Sequence, residues 1–415
     1  MMTNTRSETV SGTFNADCQH IDLQSILGPV SVDEFLSVHY GRNFLRMPGE
    51  NGRFQDLLRW SALNWLLEWN TFGQGQLRLV KEGKDLPAQY LVNANWRMQS
   101  GRLELEEALR GGATLAINKI DRLWKPIAGL ASRMERILQA DIGVNMYAGF
   151  KASNGFLKHW DDHDVFILQV SGSKRWEVFP QSFKFPKYKG KQILPPECDP
   201  VWQGDLNSGD ALYIPRGWWH IATPCNEPTL HLTVGTKIPT GRDMLQWVLT
   251  ELEDQPDMEC LRADIPRFQD EESKTRYVSE LRKTVSDALD TPGLLGAFLR
   301  SSDIQSKPRQ HYGLPWSAMQ QGFCQEEGSV FTVVPRYVEL GDVTEHGVVE
   351  VSFNGRTVSV AGNYNPLLRW IIKKTEVPIQ ELRDEFEGSF DSAAVSEFVS
   401  EMVRCGLLSV ATSAE

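Results

Sequence analysis

Residues 155 to 179 read GFLKHWDDHDVFILQVSGSKRWEVF, with His159, Asp161, Asp162, His163 and Asp164 inside six positions and an apolar run directly after them. In an extended chain, residues i and i+2 point to the same side. His159 and Asp161 are therefore natural neighbouring metal ligands, and Trp160 between them points away. One more imidazole would complete a set of two His and one carboxylate. Such a set leaves positions open on Fe(II) for a co-substrate and O2. A lone His-x-Asp is weak support, because acidic residues beside a strand are commonly a solvated turn. The case rests on a third ligand elsewhere in the chain.

The chain holds eight His, so the search is short. His20, His39, His311 and His346 lie outside the β-rich region, and His163, His220 and His231 lie within it. His220 stands in GDALYIPRGWWHIATP. There a Gly-Asp turn leads into a strand, Pro-Arg-Gly reverses the chain, and His220 opens the next strand beside the first motif. On that ground His220, rather than His231, is the expected third ligand. The alternative for His220 is a hydrogen-bonded core residue. Zinc can use the same three side chains, but structural zinc sites are usually closed by four ligands and often use Cys, and no Cys is placed here.

Short β-rich runs (VNMYAGF, DVFILQVSG, KRWEVF, DALYIP, LHLTVGT) fill residues 144–237, punctuated by Gly, Pro and Asp. That texture predicts an all-β sandwich or barrel, the class that includes cupin jelly rolls. Around it the chain reads as helical. Residues 1–22 form a polar tail. Ser31 with Glu34 predicts a capped helix through SVDEFLSVHYGRNFLRM. FQDLLRWSALNWLLEW and PIAGLASRMERILQAD are amphipathic helices, and LELEEALRGGATLAINKI is a helix, a Gly-Gly break and a strand. QLRLVKEGKDLPAQYLV is a strand, a turn and an extended piece. From residue 243 to about 300 the pattern is helical again, residues 301–325 are a polar connector, and the last 90 or so residues mix strands and helices in a winged-helix-like order.

The chain has 415 residues, enough for two or three domains. A net charge of −11 disfavours a phosphate-backbone binder. Between Glu376 and Glu401 Arg383 is the only basic residue, so the winged-helix-like end is read as a packing or docking module rather than a nucleic-acid reader. Six scattered Cys without a Cys-x-x-Cys spacing argue against a disulfide framework. No apolar run approaches the ~20 residues of a membrane helix and the N-terminus has no apolar signal region, so the expected location is the cytoplasm. The chain also holds thirteen Trp. Trp160, Trp176, Trp202, Trp218 and Trp219 lie near the site, and Trp160, Trp218 and Trp219 are candidate walls of a cleft or, equally, packing residues.

HWDDHDVFILQVSGSKRWEVF and GDALYIPRGWWHIATP together resemble the JmjC-type cupin oxygenases. The closest resemblance is to their ribosomal oxygenase branch of bacterial protein arginine hydroxylases and eukaryotic histidyl hydroxylases. It covers about residues 25–240, and the later helices and the winged-helix-like end match that branch's layout. The resemblance implies an α+β fold: a double-stranded β-helix (cupin, JmjC) core with flanking helices, a helical dimerisation segment and a C-terminal winged-helix-like domain. The implied division is a tail at 1–22, a catalytic domain at 23–240, a helical segment at 241–305 and the last domain at 306–415. It also implies an Fe(II)- and 2-oxoglutarate-dependent hydroxylase of a protein or peptide side chain, working as a homodimer. His159, Asp161 and His220 would hold the iron, and Lys174 would meet the far carboxylate of 2-oxoglutarate. Asn145 and Tyr147, on one strand face, could bond the co-substrate carboxylates. Thr233 and His231, also on one face, would line the pocket. Asp162, His163 and Asp164 would lie beside the ligands or face substrate. Two other readings remain at this stage: the same chemistry on a small molecule, and a cupin-like scaffold without activity.

Overall fold

The computed structural model describes residues 21–86, 100–187, 194–312 and 328–411. The expected N-terminal tail, the extended piece around AQYLV and most of the connector after 312 lie outside the described residues. The described chain divides into two compact units, residues up to 137 with 141–237, and 138–140 with the chain from 238 onward.

The first unit opens with short helices α1 (Leu23–Leu27) and α2 (Val32–Glu34). Ser31 caps α2 as its sequence predicts, its hydroxyl accepting from the Glu34 amide at 3.1 Å. The helix does not run on through LRM. It passes into a π-helical turn at Phe35–His39, and Leu45–Met47 is strand β1. Helix α3 (Trp60–Trp69) is shorter than the amphipathic pattern suggested, because residues 51–57 form turns that bury Phe54 and Leu57. Strands β2 (Leu77–Lys81) and β3 (Lys84–Asp85), helix α4 (Ser100–Arg110), strand β4 (Thr114–Ile117) and helix α5 (Lys125–Leu138) follow. The β-rich region then supplies β5 (Asp141–Gly149), β6 (Asp164–Ser171), β7 (Lys174–Phe179), β8 (Trp202–Leu206), β9 (Ala211–Ile214), β10 (Trp219–Pro224) and β11 (Thr229–Lys237).

These strands form two antiparallel sheets, an eight-stranded one in the order β1-β9-β6-β11-β5-β4-β2-β3 and a three-stranded one in the order β10-β7-β8. The period of two decides what each face does. Phe166 and Leu168 of β6, Leu230, Leu232 and Val234 of β11, and Val144, Met146 and Ala148 of β5 are fully buried on one face of the large sheet. Phe35 from the π-helical turn packs against Phe166 there, ring centres 5.4 Å apart. The opposite face meets the small sheet: Val165, Ile167, Leu212 and Ile214 pack with Trp176, Val178 and Leu206. That sandwich filling closes one end of the space between the sheets.

The second unit holds α6 (Gly241–Glu253), α7 (Glu259–Arg262), α8 (Glu271–Leu289) and α9 (Leu294–Ile304), as the sequence predicts for this stretch. Beyond them come β12 (Val330–Val333), the β13 (Glu339–Leu340), β14 (Val348–Phe353) and β15 (Arg356–Ala361) meander, α10 (Asn365–Ile371), β16 (Glu376–Pro378), α11 (Ile379–Glu385), α12 (Ser392–Arg404) and β17 (Leu408–Val410). Helix, strand, helix, helix, strand is the winged-helix order. The third strand of its sheet, however, comes from the N-terminal side, in the order β16-β12-β17. Helix α12 buries Val395, Phe398, Val399 and Met402, so it packs as its sequence suggests.

Candidate metal centre

His159 lies just ahead of β6 and His220 inside β10. The two form an isolated antiparallel bridge, His159 N–H donating to His220 O at 3.1 Å and His220 N–H to His159 O at 2.8 Å. Residues directly opposite in an antiparallel pair project to the same side. The imidazoles therefore sit together, ring centres 4.4 Å apart. Each ring is oriented through Nδ1, to Leu157 O at 2.7 Å for His159 and to Trp218 O at 3.2 Å for His220. Such carbonyl partners fix the tautomer that presents Nε2 as ligand. Asp161 projects on the same side as His159, with Oδ2 3.5 Å from His220 Nε2. One ligand atom from each of His159, Asp161 and His220 lies within 4.8 Å of the others, and no other such group occurs among the described residues.

The Pro-Arg-Gly turn is what brings His220 there. Gly217 donates its N–H to Asp161 O at 3.0 Å, tying the turn to the ligand itself. Gly217 has φ +83°, and a Cβ there would stand 2.5 Å from Pro186 Cδ, so only glycine fits. Arg216 donates its N–H to Asp164 Oδ1 at 2.8 Å, and the Tyr213 hydroxyl bonds Asp164 Oδ2. Asp164 is thus a clamp on the turn and does not face substrate. Asp210, in the Gly-Asp turn, is buried and accepts from the Gly49 and Asn207 amides at 3.0 and 3.1 Å.

Asp162 and His163 are half-buried and pair with each other. His163 Nδ1 is 2.7 Å from Asp162 Oδ1. The His163 ring lies on Gly235, where a Cβ would come within 2.6 Å of it. Gly235 pairs with Gly143, so the sheet is bare where the ring rests.

A row of paired residues crosses the large sheet beneath the ligands: Arg78, Ala116, Tyr147, His231 and Gln169. Asn145 and Thr233 are paired one step along. Asn145 Oδ1 accepts from the Lys119 amide at 3.0 Å, and its side chain also bonds the Tyr147 hydroxyl. Burial, and then the negative charge of Asp161, push the Tyr147 hydroxyl up to about 12, which keeps it a proton donor. Thr233 is half-buried. From the small sheet, Lys174 and Trp176 face this row. Lys174 is only 6% exposed. Burial pulls its ammonium down to about 8 from the ordinary 10.5, and among the described residues no carboxylate compensates it. Arg175 points out and pairs with Asp205 at 3.3 Å, as its sequence neighbour requires.

Of the five tryptophans near the site, Trp176 stands nearest the ligands, its ring 6.0 Å from His220 and 5.7 Å from His231. Trp160 and Trp219 pack with Phe179 in a separate cluster, and Trp202 and Trp218 join the sandwich filling. They are packing residues. Sequence reasoning placed Trp176 near the site but did not single out Gln169, Arg78 or Phe156. The Phe156 ring stands edge-on to Tyr147 at 5.5 Å and 6.1 Å from His159, and the Arg78 guanidinium lies 5.7 Å from it.

Residues 122–244, which span β5–β11 and so both sheets of the site, match the JmjC domain family. The chain carries a JmjC domain.

The JmjC match takes in all three metal-ligand candidates and Lys174. The chain is 35% identical over 186 residues to the bifunctional lysine-specific demethylase and histidyl-hydroxylase NO66 of Dictyostelium discoideum, covering 41% of this chain and 34% of that protein. It is 35% identical over 227 residues to the protein of the same name from Drosophila pseudoobscura pseudoobscura, covering 51% of this chain and 22% of that one. This chain therefore spans about a third or less of the length of these curated relatives. The solved structure of the Escherichia coli ribosomal oxygenase YcfD superposes with a TM-score of 0.54 at 16% identity, covering 92% of this chain and 98% of that one. YcfD in complex with cobalt and 2-oxoglutarate gives a TM-score of 0.53, at the same 16% identity and 91% and 97% coverage. The JmjC cupin fold with its helical and C-terminal additions is thus common to both.

Proposed function

We propose that this protein is an Fe(II)- and 2-oxoglutarate-dependent oxygenase that hydroxylates a side chain of a protein or peptide, releasing succinate and CO2. The observation that carries the reading is the His159–Asp161–His220 cluster opposite a buried, uncompensated Lys174. Two neutral nitrogens and one carboxylate suit a divalent first-row metal with open positions. A buried cation without a partner suits an anion. Bound iron and 2-oxoglutarate together supply the oxidising chemistry, which the protein cannot.

The chain's own residues do the rest. His159, Asp161 and His220 hold the metal, with Leu157 O and Trp218 O orienting the imidazoles. Lys174 binds the far carboxylate of the co-substrate, and Tyr147, braced by Asn145, donates beside it. Thr233 lines the same wall. Phe156 and Arg78 border the approach to His159 and meet the primary substrate.

A protein substrate is supported by the names of the relatives, a histidyl-hydroxylase and a ribosomal oxygenase. A ribosomal protein is therefore the first candidate. We further propose a homodimer through residues 241–305, with residues 306–415 as a separate winged-helix-like domain that supports or docks rather than reads nucleic acid. Supporting the dimer, no residue of α8 is fully buried in the single chain, and Leu245, Leu249, Val278, Leu295 and Leu299 are exposed. The proposed location is the cytoplasm; among the described residues no helix is long and apolar enough to cross a membrane.

The test is an anaerobic titration of metal-free protein with Fe(II) and 2-oxoglutarate, following the visible charge-transfer band. The band is expected in the wild type, absent in His220→Ala and weakened in Lys174→Ala. A folded wild-type protein that shows no band overturns the assignment.

A further inference from the structure

Past β7 the chain enters a stretch that the metal centre does not use. From Pro180 to Pro196 the sequence carries four Lys and no Asp or Glu, in a chain whose net charge is −11. The β7–β10 register sets His220 against Val178 and Pro224 against Lys174. The loop that follows Phe179 therefore leaves the small sheet at the metal end.

The first part of this loop is fixed in place. Gln181 Nε2 donates to Arg216 O at 2.6 Å. Pro186 is buried against Gly217, the residue whose N–H bonds Asp161 O. Between these two anchors Phe183 and Phe185 are 59% and 57% exposed. Lys184, between the rings, is exposed too and forms no ion pair among the described residues. Phe185 takes a φ of +52°, uncommon for so bulky a residue. The Arg216 guanidinium lies 5.5 Å from the centre of its ring. The Ser182 hydroxyl donates to Leu194 O at 3.0 Å, which returns Leu194, 71% exposed, to the same loop. Single exposed apolar residues are ordinary, but three on one anchored loop, with cations among them, mark a contact surface.

We propose that this loop docks the substrate polypeptide by an acidic segment that carries an aromatic or large aliphatic side chain. Phe183, Phe185 and Leu194 take the apolar side chain, and Lys184 and Arg216 meet the carboxylates. The proposal rests on the oxygenase reading above for its purpose: a segment held here lies beside the turn that carries His220. Alternating Phe and Lys also suits a single-stranded nucleic acid. Phosphate backbones, however, need an extended basic surface, and a chain of net charge −11 repels them.

The test is fluorescence anisotropy of the full chain, without metal, against three labelled probes. One is a short peptide of Gly and Glu around a central Phe. The second has every Glu replaced by Lys, and the third is an oligouridine of equal length. The acidic peptide is expected to bind the wild type most tightly. Lys184→Glu should weaken it about tenfold, as should Phe183→Ser combined with Phe185→Ser. Acidic and basic peptides that bind alike overturn the proposal, and so does an acidic-peptide affinity unchanged in both variants. Oligouridine bound more tightly than the acidic peptide assigns the loop to nucleic acid and overturns it as well. Circular dichroism shows whether each variant is folded; should the double Ser variant not fold, Lys184→Glu alone decides. Wild-type protein without the Fe(II) and 2-oxoglutarate band sinks the oxygenase reading, and the anisotropy result stands apart from it.

Discussion

Lys174 illustrates how a residue proposed to bind the co-substrate works against the fold that carries it. Its ammonium sits in dry surroundings and is held at about 8 rather than 10.5. Between those two pH values the unfolded chain binds a proton that the folded chain does not. Stability should therefore rise as pH climbs from about 8 to 10.5, and the penalty is fully present below 8. Lys174→Met is expected to stabilise the ligand-free protein at pH 7 by on the order of 2 kcal/mol, to flatten that rise, and to weaken 2-oxoglutarate binding. Urea unfolding at pH 7 and pH 10 checks it; a Met variant no more stable than wild type at pH 7 would count against the electrostatic account. His159, Asp161 and His220 could be read as one group because residue type, a two-residue step and a reversing turn are written in the sequence, whereas Lys174 came only from the resemblance. The place of the Trp176 ring between His220 and His231 was not legible, because an indole on a strand reads the same whichever neighbours it meets. Of the two places open to Asp164, the structure takes the one beside the ligands, where its carboxylate turns onto the arriving turn.

At the scale of elements, the site depends on one turn. Asp164 holds Arg216 N–H and the Tyr213 hydroxyl, and Gly217 fits only without a Cβ. Asp164→Ala leaves a buried amide and a hydroxyl unmet and is expected to cost about 2–4 kcal/mol. It should also weaken Mn(II) binding without touching a ligand. Gly217→Ala, strained at its φ of +83° and facing Pro186, should weaken Mn(II) further while α-helical content stays constant. Calorimetry with Mn(II) alone, alongside circular dichroism, separates these effects; undiminished metal affinity in both variants would remove the turn from the account. The strand sequence around the site was legible because apolar alternation and Gly or Pro punctuation agree there. The N-terminal elements were less so. The run ending in LRM has helical spacing, but Arg46 and Met47 are claimed by pairing with Leu212 and Ala211, a contact about 165 residues away that local pattern cannot register. The start of α3 was set too early because the turns before it bury Phe54 and Leu57 and so mimic an amphipathic face.

At the scale of the molecule, one exposed surface asks for a partner. Val278 on α8 is 62% exposed, and no residue of the helix is fully buried, although Tyr277, Leu281, Val285 and Ala288 are half-buried. Isolated apolar residues are ordinary at a surface, but a whole helix with none fully buried is not. If α8 lies in a homodimer interface, Val278→Asp should halve the mass seen by sedimentation equilibrium and leave the JmjC charge-transfer band intact. An unchanged dimer would move the interface elsewhere; a monomeric wild type would remove it. The C-terminal order of helices and strands was readable from punctuation and period. That β12, about 45 residues upstream, completes the sheet between β16 and β17 was not, since a short apolar strand carries no address.

The paired His159 and His220 amides have a kinetic meaning as well. The bridge consists of two backbone bonds between stretches 61 positions apart, with no further rung of its own ladder. Opening it parts both imidazoles at once, so escape of the metal is one event of local unfolding rather than a succession of ligand losses. Metal residence time should then equal the interval between such openings. Deuterium uptake at these two amides should slow on adding Mn(II), by the same factor in each.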